Sequence, residues 1–174
     1  MAGTFFRPDP MHTRTLIVFL LPFAVAACQS SNPECAWLPE DSRVGNAGCM
    51  IIQDNRLLMV QQRSSGHWSM PGGTAQSGER AVCTAQRETQ EETGLAVRPT
   101  YWIITLQNGF HVYRCEADTS LASRPEDRLE IQGWGLFDEA ERQTIPWRFE
   151  RQHGLIDQLV REQLQRDQPV ADLP

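Results

Sequence analysis

The sequence predicts an α/β fold, a mixed β-sheet held between helices. Three observations lead there. Short β-prone runs alternate with two helical stretches in the order strands, helix, strands, helix. An Asn108-Gly109 dipeptide joins two of the runs as a hairpin would. The second helical stretch repeats its apolar residues at helical spacing, so one face is built for burial. With 174 residues, 40% of them hydrophobic, the chain can fill one core of ordinary size but not a second catalytic domain. No internal repeat or low-complexity tract breaks it up.

In chain order, the first segment is an uncharged apolar run, residues 15–27, with His12 and Arg14 before it and Cys28 directly after. A basic flank, a short apolar core and small residues ahead of a cleavage point describe a secretory signal, and the run is too short to span a bilayer comfortably. Val25-Ala26-Ala27-Cys28 resembles the bacterial lipobox, in which the cut falls before a Cys carrying a diacylglyceryl group. The resemblance implies a signal peptide over 1–27, a lipidated Cys28, and a polar tether over 28–43. Acyl chains add about 0.8 kcal/mol of membrane affinity per buried CH₂, so the expected location is the cell envelope, anchored to a membrane through Cys28. Gln29, not Asp, follows the Cys, which in such lipoproteins favours the periplasmic face of the outer membrane. Phe5, Phe6 and Asp9 fit the basic region poorly, which makes Met11 an alternative start.

Residues 48–52 and 57–62 read as paired strands turned by Asp54-Asn55. A Gly, Ser and Pro-rich loop over 64–73 leads into a helix expected over 79–93 and capped by Gly94. Residues 100–106 and 110–116 form the hairpin, 118–128 a polar loop, and 131–137 a further apolar run around Trp134. Leu155, Ile156, Leu159, Val160 and Leu164 mark the buried face of the last helix. The folded domain is expected over 44–168, with 169–174 as a tail.

The net charge is −6 and every one of the 16 basic residues is Arg, with no basic cluster, so a nucleic-acid partner is not expected. Beyond Cys28 there are Cys35, Cys49, Cys83 and Cys115. None stands in a C-x2-C pair, which argues against zinc. In an exported chain they predict at least one disulfide, with the pairing open.

Glu88, Glu91 and Glu92 stand at i, i+3 and i+4 and so share one helix face. By itself that is an ordinary solvated face. The surroundings are not ordinary. Gly73, Glu79, Arg87, Glu88, Glu91, Glu92 and Gly94 match the fixed positions of G-x5-E-x7-R-E-U-x-E-E-x-G-U, where U is a bulky apolar residue. Chance agreement is on the order of one in 10⁸ per starting position at ordinary residue usage. The pattern resembles the signature of the Nudix hydrolases, and Trp68-Ser69-Met70-Pro71-Gly72-Gly73 looks like the approach that precedes it there. Thr89 departs from the pattern, standing where an apolar residue is expected; a bond from its hydroxyl to a carbonyl one turn back would meet its polar need.

The resemblance implies a Nudix α/β/α sandwich and a Mg²⁺-dependent hydrolase, with Mn²⁺ an alternative metal, acting on a small-molecule diphosphate, either a nucleoside diphosphate linked to another moiety or an envelope-related diphosphate. It implies Glu88, Glu91 and Glu92 as metal ligands, joined by the main-chain carbonyl of Gly72, because hard cations prefer oxygen. Arg87 would orient a catalytic Glu. Glu79 and Gly94 would give structural support. Arg63, Gly72 and Gly73 are the candidate substrate contacts. For the general base, a signature Glu and the later acids Glu116, Glu126, Asp127 and Glu130 all stand open. The competing reading is a membrane-anchored sensor that keeps the fold for binding alone.

Overall fold

A helix on each face of a β-sheet layer is what the apolar spacing demands, and the computed structural model builds it. It describes residues 38, 40–119, 125, 127 and 129–167, all within the compact unit Ser31–Pro174. Cys28, Cys35, Glu126, the signal segment, most of the tether and the tail lie outside the described residues. The elements are β1 (Ala47–Met50), β2 (Ile52–Gln53), β3 (Arg56–Gln62), β4 (Trp68–Ser69), β5 (Gly72–Gly73), α1 (Ala81–Thr93), β6 (Val97–Thr105), β7 (His111–Ala117), β8 (Ile131–Phe137), α2 (Glu139–Arg142) and α3 (His153–Asp167). Among the described residues no helix is long and apolar enough to cross a membrane.

One sheet has the order β5-β1-β7-β6, mixed because β1 runs parallel to β7 while the other pairs are antiparallel. A second sheet has the order β2-β3-β4, with β8 also pairing with β3, all antiparallel. Alternation along the strands divides the side chains between two cores. Ala47, Cys49, Leu58 and Val60 join Ala81, Val82 and Ala85 of α1. Met50, Leu57 and Met59 point the other way and join Ile156, Leu159 and Val160 of α3. At roughly 1.5–3 kcal/mol for each large side chain withdrawn from water, these two faces are the main source of stability.

The expected α/β architecture is present, with local differences. The first β-prone run is two strands, β1 and β2, which join different sheets, and only β2 returns to β3. Asp54 and Asn55 make that turn with φ of 50° and 61°. The Asn-Gly hairpin joins β6 and β7, with Thr105 opposite His111. α1 begins at Ala81, so Glu79 precedes the helix instead of opening it. Gly94 ends it in the left-handed conformation at φ 71°, its N–H donating to the Gln90 carbonyl. Leu155 is 37% exposed and leaves the apolar face to Ile156, Leu159 and Val160. α2 was not foreseen, although Asp138 and Glu141 form a reciprocal capping box readable as D-x-x-E. Asp41 and Arg43, within the expected tether, dock on the domain: Tyr113 Oη donates to Asp41 Oδ2 at 2.9 Å, and the Ala81 N–H to the Arg43 carbonyl at 2.8 Å.

Cys49 and Cys115 form a disulfide between the neighbouring strands β1 and β7, with Cα atoms 5.5 Å apart. Cys83 is disulfide-bonded as well. The Thr89 hydroxyl does not make the expected back-bond. It is fully buried and Oγ1 meets no hydrogen-bond partner, whereas Thr93 Oγ1 donates to the Thr89 carbonyl at 2.6 Å.

Candidate active site

The site is assembled where α1 closes over β5. Gly72, paired with Gly48 across β1 and β5, has φ of 146°, and a Cβ on it would lie 2.4 Å from the Gly48 Cα. No residue with a side chain fits there, which is the physical content of the two adjacent glycines. The Gly72 N–H donates to Glu92 Oε2 at 2.7 Å. At Gly73 a Cβ would fall 2.2 Å from Glu88 Oε2. Two of the three predicted carboxylates therefore lie directly on the β5 backbone.

Arg87 organises the rest. Its Nε donates to Glu79 Oε1 at 2.9 Å and Nη2 to Glu79 Oε2 at 2.8 Å, a two-pronged pair. Nη1 reaches Glu88 Oε1 at 2.8 Å and Glu91 Oε2 at 3.3 Å. With side chains 12% and 6% exposed, Arg87 and Glu79 are no surface pair. Three like charges on one helix face repel, and Arg87, which bridges Glu88 and Glu91, relieves this in part. Burial would lift the Glu79 carboxyl, but Arg87 and the Gln76 N–H outweigh it and hold it below the usual carboxylate range. Its pairing with Glu79, opposed by burial and aided by Glu88, raises the Arg87 pKa.

Glu88 and Glu92 shift the other way. Burial pushes Glu88 up against the pull of Arg87. Burial pushes Glu92 up to about 8; the Gly72 N–H and Arg148 oppose this, and the charges of Glu88 and Glu130 add to it. Among the described later acids, the charge of Glu130 bears on Glu92. Glu116 pairs with Arg98, and Asp127 Oδ1 accepts from the N–H groups of Leu129 and Glu130.

Among the described residues, no three His, Cys, Asp or Glu groups lie close enough to enclose a metal by themselves. The donor set still fits Mg²⁺, which keeps waters and is held by one or two carboxylates together with substrate phosphate, not by an all-protein cage. Each Glu also has an oxygen to spare. Arg87 engages one oxygen of Glu88 and one of Glu91, and the Gly72 N–H one of Glu92; the second oxygen of each accepts no protein hydrogen bond among the described residues.

On β5 and the neighbouring loops opens a cleft of about 220 Å³. Gly72 and Gly73 line it, together with Leu106 and Phe110 of the β6–β7 hairpin and with Trp147, Arg148 and Phe149. Sequence reasoning placed Gly72 and Gly73 here and missed the remainder, since residues 147–149 lie in a stretch with no periodicity to announce it. Trp147 is anchored by its Nε1–H on the Arg142 carbonyl at 2.9 Å and by stacking on His153 at 4.4 Å. Arg63 does not line the cleft: its Nη2 donates to the Ile131 carbonyl at 3.1 Å and its N–H to that of Glu130, pinning the start of β8.

Comparison with known proteins agrees with this geometry. A MutT-like protein of Streptomyces ambofaciens is 36% identical over 67 residues, 38% of this chain and 44% of that protein. A CMP-5'-(N-acetyl-N-hydroxy-3-aminopropyl)phosphonate hydrolase of Streptomyces rubellomurinus is 30% identical over 113 residues, 56% of this chain and 54% of that one. The chain thus spans about half the length of these curated relatives. Among solved structures, an ADP-ribose pyrophosphatase from Streptococcus suis superposes with a TM-score of 0.58 at 19% identity, over 68% of this chain and 90% of that one, a likeness of fold. The NUDIX domain model matches residues 42–153, which take in all the cleft-lining residues but Ile156 and the whole Glu79 to Gly94 constellation, so the chain belongs to the Nudix family.

Proposed function

We propose that the protein is a divalent-metal-dependent hydrolase of a diphosphate linkage, its substrate a nucleoside diphosphate joined to another moiety. One observation carries the reading: Glu88 and Glu92 close on the same β5 backbone that floors the cleft, so the carboxylates and the ligand space share a wall. Glu88, Glu91, Glu92 and the Gly72 carbonyl would hold Mg²⁺ or Mn²⁺. When bound, the metal supplies charge neutralisation on the diphosphate oxygens and a water of lowered pKa. The chain supplies the positioning. Arg87, locked by Glu79, fixes Glu88 and Glu91 at a set height on α1. The Gly72 N–H orients Glu92. The names of the Streptomyces rubellomurinus and Streptococcus suis relatives, a CMP-phosphonate hydrolase and an ADP-ribose pyrophosphatase, support a nucleotide-containing substrate.

The signal-like N-terminus adds a location to the proposal: an envelope lipoprotein held through Cys28. A disulfide between Cys49 and Cys115 supports an oxidising compartment. The intact mass of membrane-extracted protein tests this, and a soluble mature form lacking an acylated Cys28 would refute it.

The activity is tested by screening ADP-ribose, NAD, dinucleoside polyphosphates, nucleotide sugars and polyprenyl diphosphates with Mg²⁺ or Mn²⁺. On the substrate found, Glu91→Gln and Glu92→Gln are expected to lower kcat by about 10² to 10⁴, roughly 3 to 5 kcal/mol of barrier, with Glu79→Gln costing less. Circular dichroism checks the fold. Full activity in both variants removes the metal-ligand assignment. Ligand binding by the wild type without hydrolysis of any diphosphate would make the protein a sensor.

A further inference from the structure

A diphosphate in this cleft needs a cation from the protein as well as the metal, and the arginines near the site are not equally available. Arg87 is spent on Glu79, Glu88, Glu91 and the Thr74 carbonyl. Arg63 is turned to the start of β8 and does not line the cleft. Arg148 does line it, and among the described residues it is the only Arg that does. No carboxylate pairs with its guanidinium among the described residues; the group lies over the Phe149 ring, 5.2 Å from the centroid.

A free surface Arg is commonplace, so the setting decides. The backbone beneath Arg148 is fixed: its N–H donates to the Trp68 carbonyl at 2.8 Å, and Trp147 before it bridges to Trp68 and is pinned through its indole N–H. A held stem with an unpaired head in a cleft is preorganised to take an anion. The rest of the cleft says what the anion carries. Phe149 is 47% exposed, its ring carrying the Arg148 guanidinium on one side and still open to solvent in part. Asn46 and Asn108 also line the cleft, and their Oδ1 atoms already accept from the N–H groups of Ala75 and Phe110, which leaves their amide N–H₂ groups as donors.

We infer that Arg148 is the residue that grips the substrate's phosphate, with Phe149 beside it as the surface on which an attached flat ring stacks. This deepens the proposed function and rests on it, making Arg148 and Phe149 the specificity pair for a nucleoside diphosphate. Guanidinium recognises phosphate with charge and paired donors; an aromatic face recognises any nucleobase.

Isothermal titration of the full protein with ADP and with inorganic pyrophosphate, in EDTA, tests the pair without catalysis. Arg148→Ala is expected to weaken both probes by about 10-fold or more, at least about 1.4 kcal/mol, and Arg148→Lys to recover part of the loss. Phe149→Ala should weaken ADP several-fold and leave pyrophosphate unchanged. Unchanged binding in Arg148→Ala, or no binding of either probe by the wild type, overturns the inference. The proposed function fails separately: hydrolysis with Arg148→Ala binding ADP normally leaves the enzyme and removes Arg148's role, whereas Arg148-dependent binding without diphosphate hydrolysis leaves the grip and removes the enzyme.

Discussion

A carboxylate that is 8% exposed and accepts one backbone hydrogen bond must keep its proton or acquire a positive charge. Glu92 is in that position, with burial lifting its pKa to about 8 from an ordinary 4.5. The folded, metal-free protein therefore holds a proton that the unfolded chain has released, so stability falls as pH rises from about 4.5 to about 8 and levels off above. Glu92→Gln keeps an acceptor for the Gly72 N–H and deletes the titration. In EDTA the variant should match the wild type near pH 4.5 and exceed it at pH 9 by about 3 to 5 kcal/mol. Urea melts at the two pH values read this directly, and an unchanged pH slope in the variant would show that Glu92 is not the group responsible. The same residue explains why a site of three Glu can exist without metal. One carboxyl keeps its proton, and Arg87 answers for the other two.

At the scale of the element, α1 answers two demands. One face must carry the acids onto β5, and another must fill the core with Ala81, Val82 and Ala85. Thr89 stands fully buried on this helix, its Oγ1 without a hydrogen bond. A buried hydroxyl left unpaired costs roughly 1–3 kcal/mol, and Val has the same shape without that cost. Thr89→Val should therefore stabilise the protein by about 1 kcal/mol or more, seen as a higher thermal midpoint, with Glu88, Glu91 and Glu92 undisturbed. A lower midpoint would mean that the hydroxyl is satisfied after all. The Thr89 position also marks where sequence reading reached and where it stopped. Spacing alone placed Glu88, Glu91 and Glu92 on one face and Gly94 at the helix end, because helical periodicity and cap chemistry are local. It put Glu79 inside the helix, since nothing local tells a residue bonded to Arg87 from the helix's own first turn. The cleft walls were out of reach for a different reason: Leu106, Phe110, Trp147 and Arg148 meet only through the pairing of distant strands and the bridge from Trp68 to Trp147. Arg63 shows the converse, a strand-end cation whose local context suits phosphate and whose tertiary context assigns it to the Ile131 carbonyl.

For the whole molecule, the question is what holds β1 beside β7, a parallel pair that brings together segments far apart in sequence. The loop from β1 to β7 contains α1 and the entire acidic constellation, so separation of these strands would release the site with them. The Cys49–Cys115 disulfide closes that loop over a sequence separation of 66 residues. Closing a loop of this length removes unfolded-state entropy worth about 4 kcal/mol in the chain-entropy view, a large fraction of the roughly 5–15 kcal/mol by which a domain is stable. Both cysteines are fully buried in the α1-side core, so Cys49→Ala with Cys115→Ala keeps small apolar residues there and isolates the cross-link. The double variant should unfold at lower urea, its stability reduced by about 4 kcal/mol, with a steeper dependence on denaturant because its unfolded chain expands further. Reductant should shift the wild type further than the variant, which retains only the Cys83 disulfide to lose. Equal midpoints for the variant and the oxidised wild type would mean that strand pairing alone holds β1 to β7, and the disulfide would lose its weight as support for an oxidising location.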